Sequence, residues 1–124
     1  MTISNYYILK ILHTSDWHLG KRLYNRERLP EQRLILDEIH EIAEKHQVDA
    51  ILVAGDLFDV ANPSNEATEL FYKALKKMSK NGQRPVIAIA GNHDSPQRIE
   101  APDPLARENG IIFAGFPNSK VPTF

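Results

Sequence analysis

Short apolar runs alternate along this chain with longer stretches in which apolar residues recur every three or four positions. Residues 8–13, 48–54 and 85–90 are nearly continuous apolar runs, the pattern of strands covered on both faces. From Glu31 to about His46, Leu34, Ile35, Ile39, Ile42 and Ala43 recur at helical spacing. Asn62-Pro63-Ser64-Asn65 carries the start signals of a second helix, with Asn62 or Ser64 as its cap. That helix places Ala67, Leu70, Phe71, Ala74, Leu75 and Met78 on one stripe, and Asn81-Gly82 suits the left-handed turn that ends it. A short helix from about Pro102 to Asn109, stopped by Gly110, and a short strand from Ile111 to Ala114 complete the pattern. Residues 14–30 read as a loop containing Gly20 and Pro30. The order predicts an α/β fold: a mainly parallel sheet of three or four strands with flanking helices.

Each of the three longer strands is followed by a polar motif: Asp16-Trp17-His18, Gly55-Asp56 and Gly91-Asn92-His93-Asp94. Roughly one strand, one helix and one return separate each motif from the next, so parallel strands would end at the same sheet edge. Ligands of open α/β sheets bind at that edge. A carboxylate and an imidazole two residues apart, as at Asp16 and His18, can face one cation. The two oxygens of Asp56 could serve two cations. Asn92 offers an amide oxygen, a weak donor suited to a site that limits its negative charge. His93 could protonate or orient a substrate oxygen, and Asp94 could hold that imidazole in one tautomer. Oxygen-rich sites with some imidazole suit manganese or magnesium, or iron or zinc where more nitrogen joins them.

With 124 residues and 42% hydrophobic content, the chain is long enough for one domain or part of one. It has no cysteine, which excludes disulfides and thiolate zinc sites. No apolar run approaches the roughly 20 residues of a membrane span, and residues 1–7 lack the apolar core of a signal peptide. A cytoplasmic protein with no membrane association is expected. A net charge of −1 gives no global attraction to nucleic acid, so any such attraction must be local. Lys21, Arg22, Arg26 and Arg28, just after the first motif, are the candidates.

The motifs in their context, Ile11 to Gly20, Asp49 to Asp59 and Ala90 to Pro96, resemble the calcineurin-like metallophosphoesterases. Within them they are similar to the SbcD-type subunits of DNA-repair nucleases. The resemblance runs from about Ile8 to Gly115 and implies roles residue by residue. Asp16 and His18 would bind one metal, Asp56 would bridge two, and Asn92 would bind the second. His93 would sit near the scissile phosphate, with Asp94 as its orienting partner. The implied cofactors are two divalent ions, manganese before magnesium. The implied partners are DNA, an SbcC-type ATPase and a second copy of the chain, which would pair through the helix at about 65–80. The implied fold is about half of a four-layer α/β/β/α sandwich, with residues 8–124 as its N-terminal part and 1–7 as a short extension.

Family members complete the site with histidines from a later Gly-His and Gly-His-x-His segment, and the chain has neither. It is therefore expected to be an N-terminal piece, with an incomplete second metal position, weak activity and an exposed sheet face. Of its other histidines, His40 and His46 are expected to be solvated on the first helix, and His13 to make a structural hydrogen bond. A phosphatase or cyclic-nucleotide phosphodiesterase is disfavoured. The residues after Asp59 are Val60 and Ala61 rather than an early arginine, and Asp94 rather than glutamate follows His93. A non-catalytic dimerisation module is the alternative of a different class. A dinucleotide-binding fold fails because no Gly-x-Gly-x-x-Gly follows the first strand.

Overall fold

The computed structural model describes residues 8–91, 94–100 and 102–115. A four-stranded sheet is built from β1 (Ile11–Ser15), β4 (Ala50–Ala54), β5 (Val86–Ile89) and β6 (Ile111–Ala114), side by side in that order. All three pairings are parallel, and registers such as Ser15 with Ala54 and Ala54 with Ile89 bring the strand ends level. The crossovers are α1 (Leu29–Lys45) between β1 and β4, α2 (Asn65–Met78) between β4 and β5, and the short helices α3 (Pro96–Glu100) and α4 (Asp103–Glu108) before β6. The expected α/β class and parallel sheet are therefore present.

The second helix forms as its sequence directs. Ser64 caps it, its hydroxyl accepting from the Ala67 N–H at 3.2 Å. All six residues of its predicted stripe are buried. Phe71, 1% exposed, packs against Phe58, Trp17 and Phe113. Burying an aromatic of this kind stabilises the fold by about 1.5–3 kcal/mol. Ile51, Val53, Val86, Ala88, Ile111 and Phe113 form the sheet side of this core.

Four expectations need correction. The first strand begins at Ile11, three residues late, because its pairing starts opposite Ala50; Ile8 is 80% exposed. The first helix buries Leu36 and Ala43, while Leu34, Ile35 and Ile42 are exposed, so its packed stripe is rotated from the predicted one. His40 is mostly buried, with its side chain 16% exposed, because it lies on that rotated stripe facing α2. Finally, residues 14–30 are not a featureless loop. They include a two-stranded antiparallel hairpin, β2 (Arg22–Leu23) and β3 (Arg26–Glu27). Its turn residues Tyr24 and Asn25 both have positive φ, the backbone of the tightest hairpin turns. Asn25 is a usual residue there; Tyr24 is not, which hides the signal.

The short helix α3 lies outside the predicted pattern as well. His13 is exposed and its ring makes no hydrogen bond among the described residues, and His46 is exposed at the end of α1. On the sheet face away from α1 and α2, Ile11 and Ile89 are 53% and 39% exposed. Among the described residues no helix is long and apolar enough to cross a membrane.

Candidate metal centre at the strand ends

Beyond Ser15 and Ala54 the two segments continue side by side. The Asp16 N–H donates to the Gly55 carbonyl at 3.2 Å, His18 to Asp56 at 2.9 Å, and Leu19 to Leu57 at 3.0 Å; Asp59 donates back to Leu19 at 3.1 Å. Alternation now works within the loops. Trp17 and Leu19 are buried, with His18 between them and Asp16 before them turned to the surface edge; Leu57 and Phe58 are both buried, and Asp56 before them stands at the same edge. Trp17 is anchored by a ring contact with Phe71 and by its Nε1–H donating to Thr14 Oγ1 at 3.0 Å.

The result is one group of donors. Ligand atoms of Asp16, His18 and Asp56 lie within 4.8 Å of one another. His18 Nε2 is 3.8 Å from Asp16 Oδ1. The backbone of all three is left-handed, with φ of 57°, 46° and 46°. Such conformations cost energy outside glycine and cluster at functional sites. Two carboxylates and one imidazole at this spacing fit a divalent cation of the manganese or magnesium kind, with water completing the set. A concavity of about 390 Å³ between α1 and α2 lies elsewhere, lined by helix residues.

The third motif follows β5 to the same edge. Its approach is tight: a Cβ on Gly91 would overlap the backbone nitrogen of Asp56 and meet Asp56 Oδ1 at 2.6 Å and Gly55 Cα at 2.8 Å. Glycine is required there for close passage, not for a turn. Asn92 and His93, the expected second-metal ligand and catalytic histidine, lie outside the described residues.

Asp94 is 6% exposed. Its Oδ2 accepts from the Leu57 and Gly91 N–H groups at 2.9 and 2.8 Å, and its Oδ1 from Phe58 at 2.9 Å. The described partners of this carboxylate are thus backbone amides of the second and third motif loops. It ties those loops together, a task that its place in the sequence does not announce.

Two other residues at the site are equally silent in the sequence. Gln32, in the first turns of α1, donates from Nε2 to the His18 carbonyl at 2.9 Å and accepts from the Gly20 N–H at 3.0 Å. A single glutamine near a helix start gives no warning of this. Asp59 lies 3.6 Å from His18 Nδ1; its only signal is that of a further aspartate three residues after Asp56.

A parallel α/β sheet carrying this aspartate–histidine–aspartate group at its carboxyl edge fits a metallophosphoesterase. The chain belongs to the calcineurin-like phosphoesterase family, whose profile matches residues 9–122. It is similar to the SbcD subunit of nuclease SbcCD from Bacillus subtilis (strain 168), 51% identical over 112 residues, which cover 90% of this chain and 29% of that protein. The corresponding subunit of Rhodobacter capsulatus is 45% identical over 108 residues, covering 86% and 27%. That of Escherichia coli (strain K12) is 42% identical over 107 residues, covering 86% and 26%. The chain thus spans under a third of the length of these curated relatives.

Proposed function

We propose that this chain supplies part of the catalytic centre of a metal-dependent DNA nuclease, the exonuclease and endonuclease subunit of an SbcCD-like double-strand-break repair complex. The observation that carries the reading is the convergence of Asp16, His18 and Asp56 at one sheet edge, in a chain whose relatives are named as nuclease subunits. Those names also favour this branch over phosphatases, cyclic-nucleotide phosphodiesterases and a non-catalytic module.

Two divalent ions, manganese first and magnesium second, are the proposed cofactors. Asp16 and His18 hold the first, Asp56 faces both, and Asn92 holds the second. Such ions activate water and offset charge on a phosphate under in-line attack. His93 acts at the phosphate, and Asp94 keeps the loops that carry Asp56 and His93 in place. Double-stranded DNA, its ends or hairpins, is the substrate; the basic hairpin beside the site supplies local positive charge. An SbcC-type ATPase is the proposed partner, and the cytoplasm the proposed location.

Cleavage of end-labelled duplex and hairpin DNA by the protein at full length tests this. Activity should require manganese or magnesium, fall by orders of magnitude in Asp56→Asn, and fall in His93→Ala with metal binding largely kept. Unchanged cleavage in Asp56→Asn, or cleavage in chelator, would overturn it.

Pairing of two copies through the α2 region is proposed as well. Its core-facing stripe is used within the chain, but Tyr72 is 39% exposed beside Phe113. Sedimentation velocity should give a dimer that Tyr72→Glu weakens; a monomer at all concentrations would sink the idea.

A further inference from the structure

From the first turns of α1 the side-chain amide of Gln32 reaches back to the turn that carries His18. Its Nε2 donates to the His18 carbonyl at 2.9 Å and, at a longer 3.4 Å, to that of Trp17. Its Oε1 accepts from the Gly20 N–H at 3.0 Å. Donor and acceptor are both used, and at this length only an amide supplies both. Glutamate here would set an oxygen against carbonyl oxygens, and an apolar side chain would leave both ends unmade.

The amide grips a costly piece of backbone. His18 has a φ of 46°, left-handed without being glycine, and Gly20 follows at 87°. Such backbone persists where its surroundings over-determine it. On one side the His18 N–H donates to the Asp56 carbonyl at 2.9 Å. On the other, the His18 carbonyl accepts from Lys21 at 3.1 Å as well as from Gln32. The Arg28 N–H donates to the Lys21 carbonyl, and the Gln32 N–H to the Arg28 carbonyl, both at 2.9 Å. These bonds close a ring from His18 through Lys21, Arg28 and Gln32 back to His18, with the basic hairpin projecting from it. Arg28 makes no side-chain cap for α1, so the glutamine also ties the helix start to the ring.

We infer that Gln32 is a positioning residue: its amide holds the turn from His18 to Gly20 in the conformation that sets His18 beside Asp16 and Asp56, and keeps movement of the hairpin from reaching it. The inference rests on the metal-centre reading above, and two variants test it. Gln32→Met has nearly the same length and neither hydrogen-bonding group. Gln32→Glu has the same shape and keeps only the acceptor. NMR of the metal-free protein reads the turn directly. In the wild type the Gly20 amide should exchange slowly with solvent, and the His18 backbone carbon shifts should report a left-handed φ. Gln32→Met should lose the Gly20 protection and displace the His18 shifts. Gln32→Glu should keep Gly20 protected and still displace His18. By calorimetry, manganese affinity should fall about 10-fold in both, the lower end of what losing an outer partner of a ligand costs. Ser64→Ala, which removes the α2 cap away from the site, should lower the urea midpoint and leave manganese affinity unchanged.

A wild-type Gly20 amide that exchanges as fast as in the unfolded chain overturns the inference, whether or not either variant folds. So do His18 shifts that stay in place in both variants. So does a manganese affinity that follows the urea midpoint alike in Ser64→Ala and the Gln32 variants, the mark of a residue that only stabilises the fold. Displaced His18 shifts in a protein whose wild type binds no manganese support the clamp and overturn the metal reading beneath it.

Discussion

Gly91 passes so close to Asp56 that a side chain there would overlap both its main chain and its carboxylate: a Cβ would run into the Asp56 backbone nitrogen and lie 2.6 Å from Asp56 Oδ1. The third strand end therefore presses the second into place. Gly91→Ala should push the Asp56 loop outward, costing about 1–3 kcal/mol as overpacking does and weakening manganese binding together with it. Urea denaturation and calorimetry on the same preparation check this. Wild-type stability would mean the two loops can separate freely.

Asp94 invites a sharper test. Its carboxylate accepts from three backbone N–H groups, those of Leu57, Phe58 and Gly91. Asp94→Ala strands buried donors, each at a cost of about 1–3 kcal/mol, so the variant should be among the least stable single changes in the chain. Asp94→Asn keeps one acceptor oxygen and should fall between. Urea midpoints give the ranking. If Asp94 served only to orient a histidine, its replacement would lower activity and leave the midpoint in place.

Much of this is legible in the sequence because the sheet is parallel and its strands are apolar on both faces. Such runs stand out, and the segments that leave their carboxyl ends must share an edge. The α2 stripe is legible for the same reason, since Ala67 to Met78 is a single clean period. The α1 stripe is not. Leu34, Ile35, Leu36, Ile39 and Ile42 offer two overlapping faces, and only packing against α2 selects the one containing Leu36 and Ala43. At the site, carboxylates and imidazole announce themselves by type. Gln32 and the amide-collecting role of Asp94 do not, because both depend on which backbone groups the fold brings within reach.

The donor group also predicts its own strength. Asp16, His18 and Asp56 supply one ligand atom each, whereas an octahedral ion takes about six donors. The 124-residue chain should therefore bind manganese weakly and chiefly at one position. Asp56→Ala should harm binding more than His18→Ala, since Asp56 faces both proposed positions. Calorimetric titration of the chain measures both. Two tight sites per chain would show that other donors complete the set.

His40 makes stability depend on pH. Its imidazole is held below the ordinary value of 6.5, first by burial and next by the nearby Lys77. Arg84 adds to this, while Glu44 and Asp37 oppose it. Its Nδ1 is buried with no hydrogen-bond partner among the described residues. The unfolded chain thus takes up a proton that the folded chain resists. Folding stability from this residue is full above the unfolded value and is lost as pH falls through it toward the lower folded value. Thermal midpoints should drop across that window, and His40→Leu should flatten the drop. An unchanged profile in His40→Leu would assign it to other groups.

The hairpin beside the site bears on DNA. Lys21, Arg22, Arg26 and Arg28 are exposed there, and Tyr24 at the turn is 91% exposed. Arg28 is already paired, its Nε 2.7 Å from Glu31 Oε2, so its charge is partly spent within the chain. Each phosphate neutralised on duplex DNA contributes about 0.9 to the slope of log affinity against log salt. Lys21→Gln and Arg26→Gln should each lower that slope by about this amount, and Arg28→Gln by less. Tyr24→Asn keeps a residue at ease with the left-handed turn backbone and removes the ring. It should leave the salt slope alone and weaken only DNA with unpaired ends, where a base is free to stack. Fluorescence anisotropy with blunt and frayed duplexes at several salt concentrations separates these effects. Equal slopes for the wild type and the Lys21 and Arg26 variants would remove the hairpin from the DNA path.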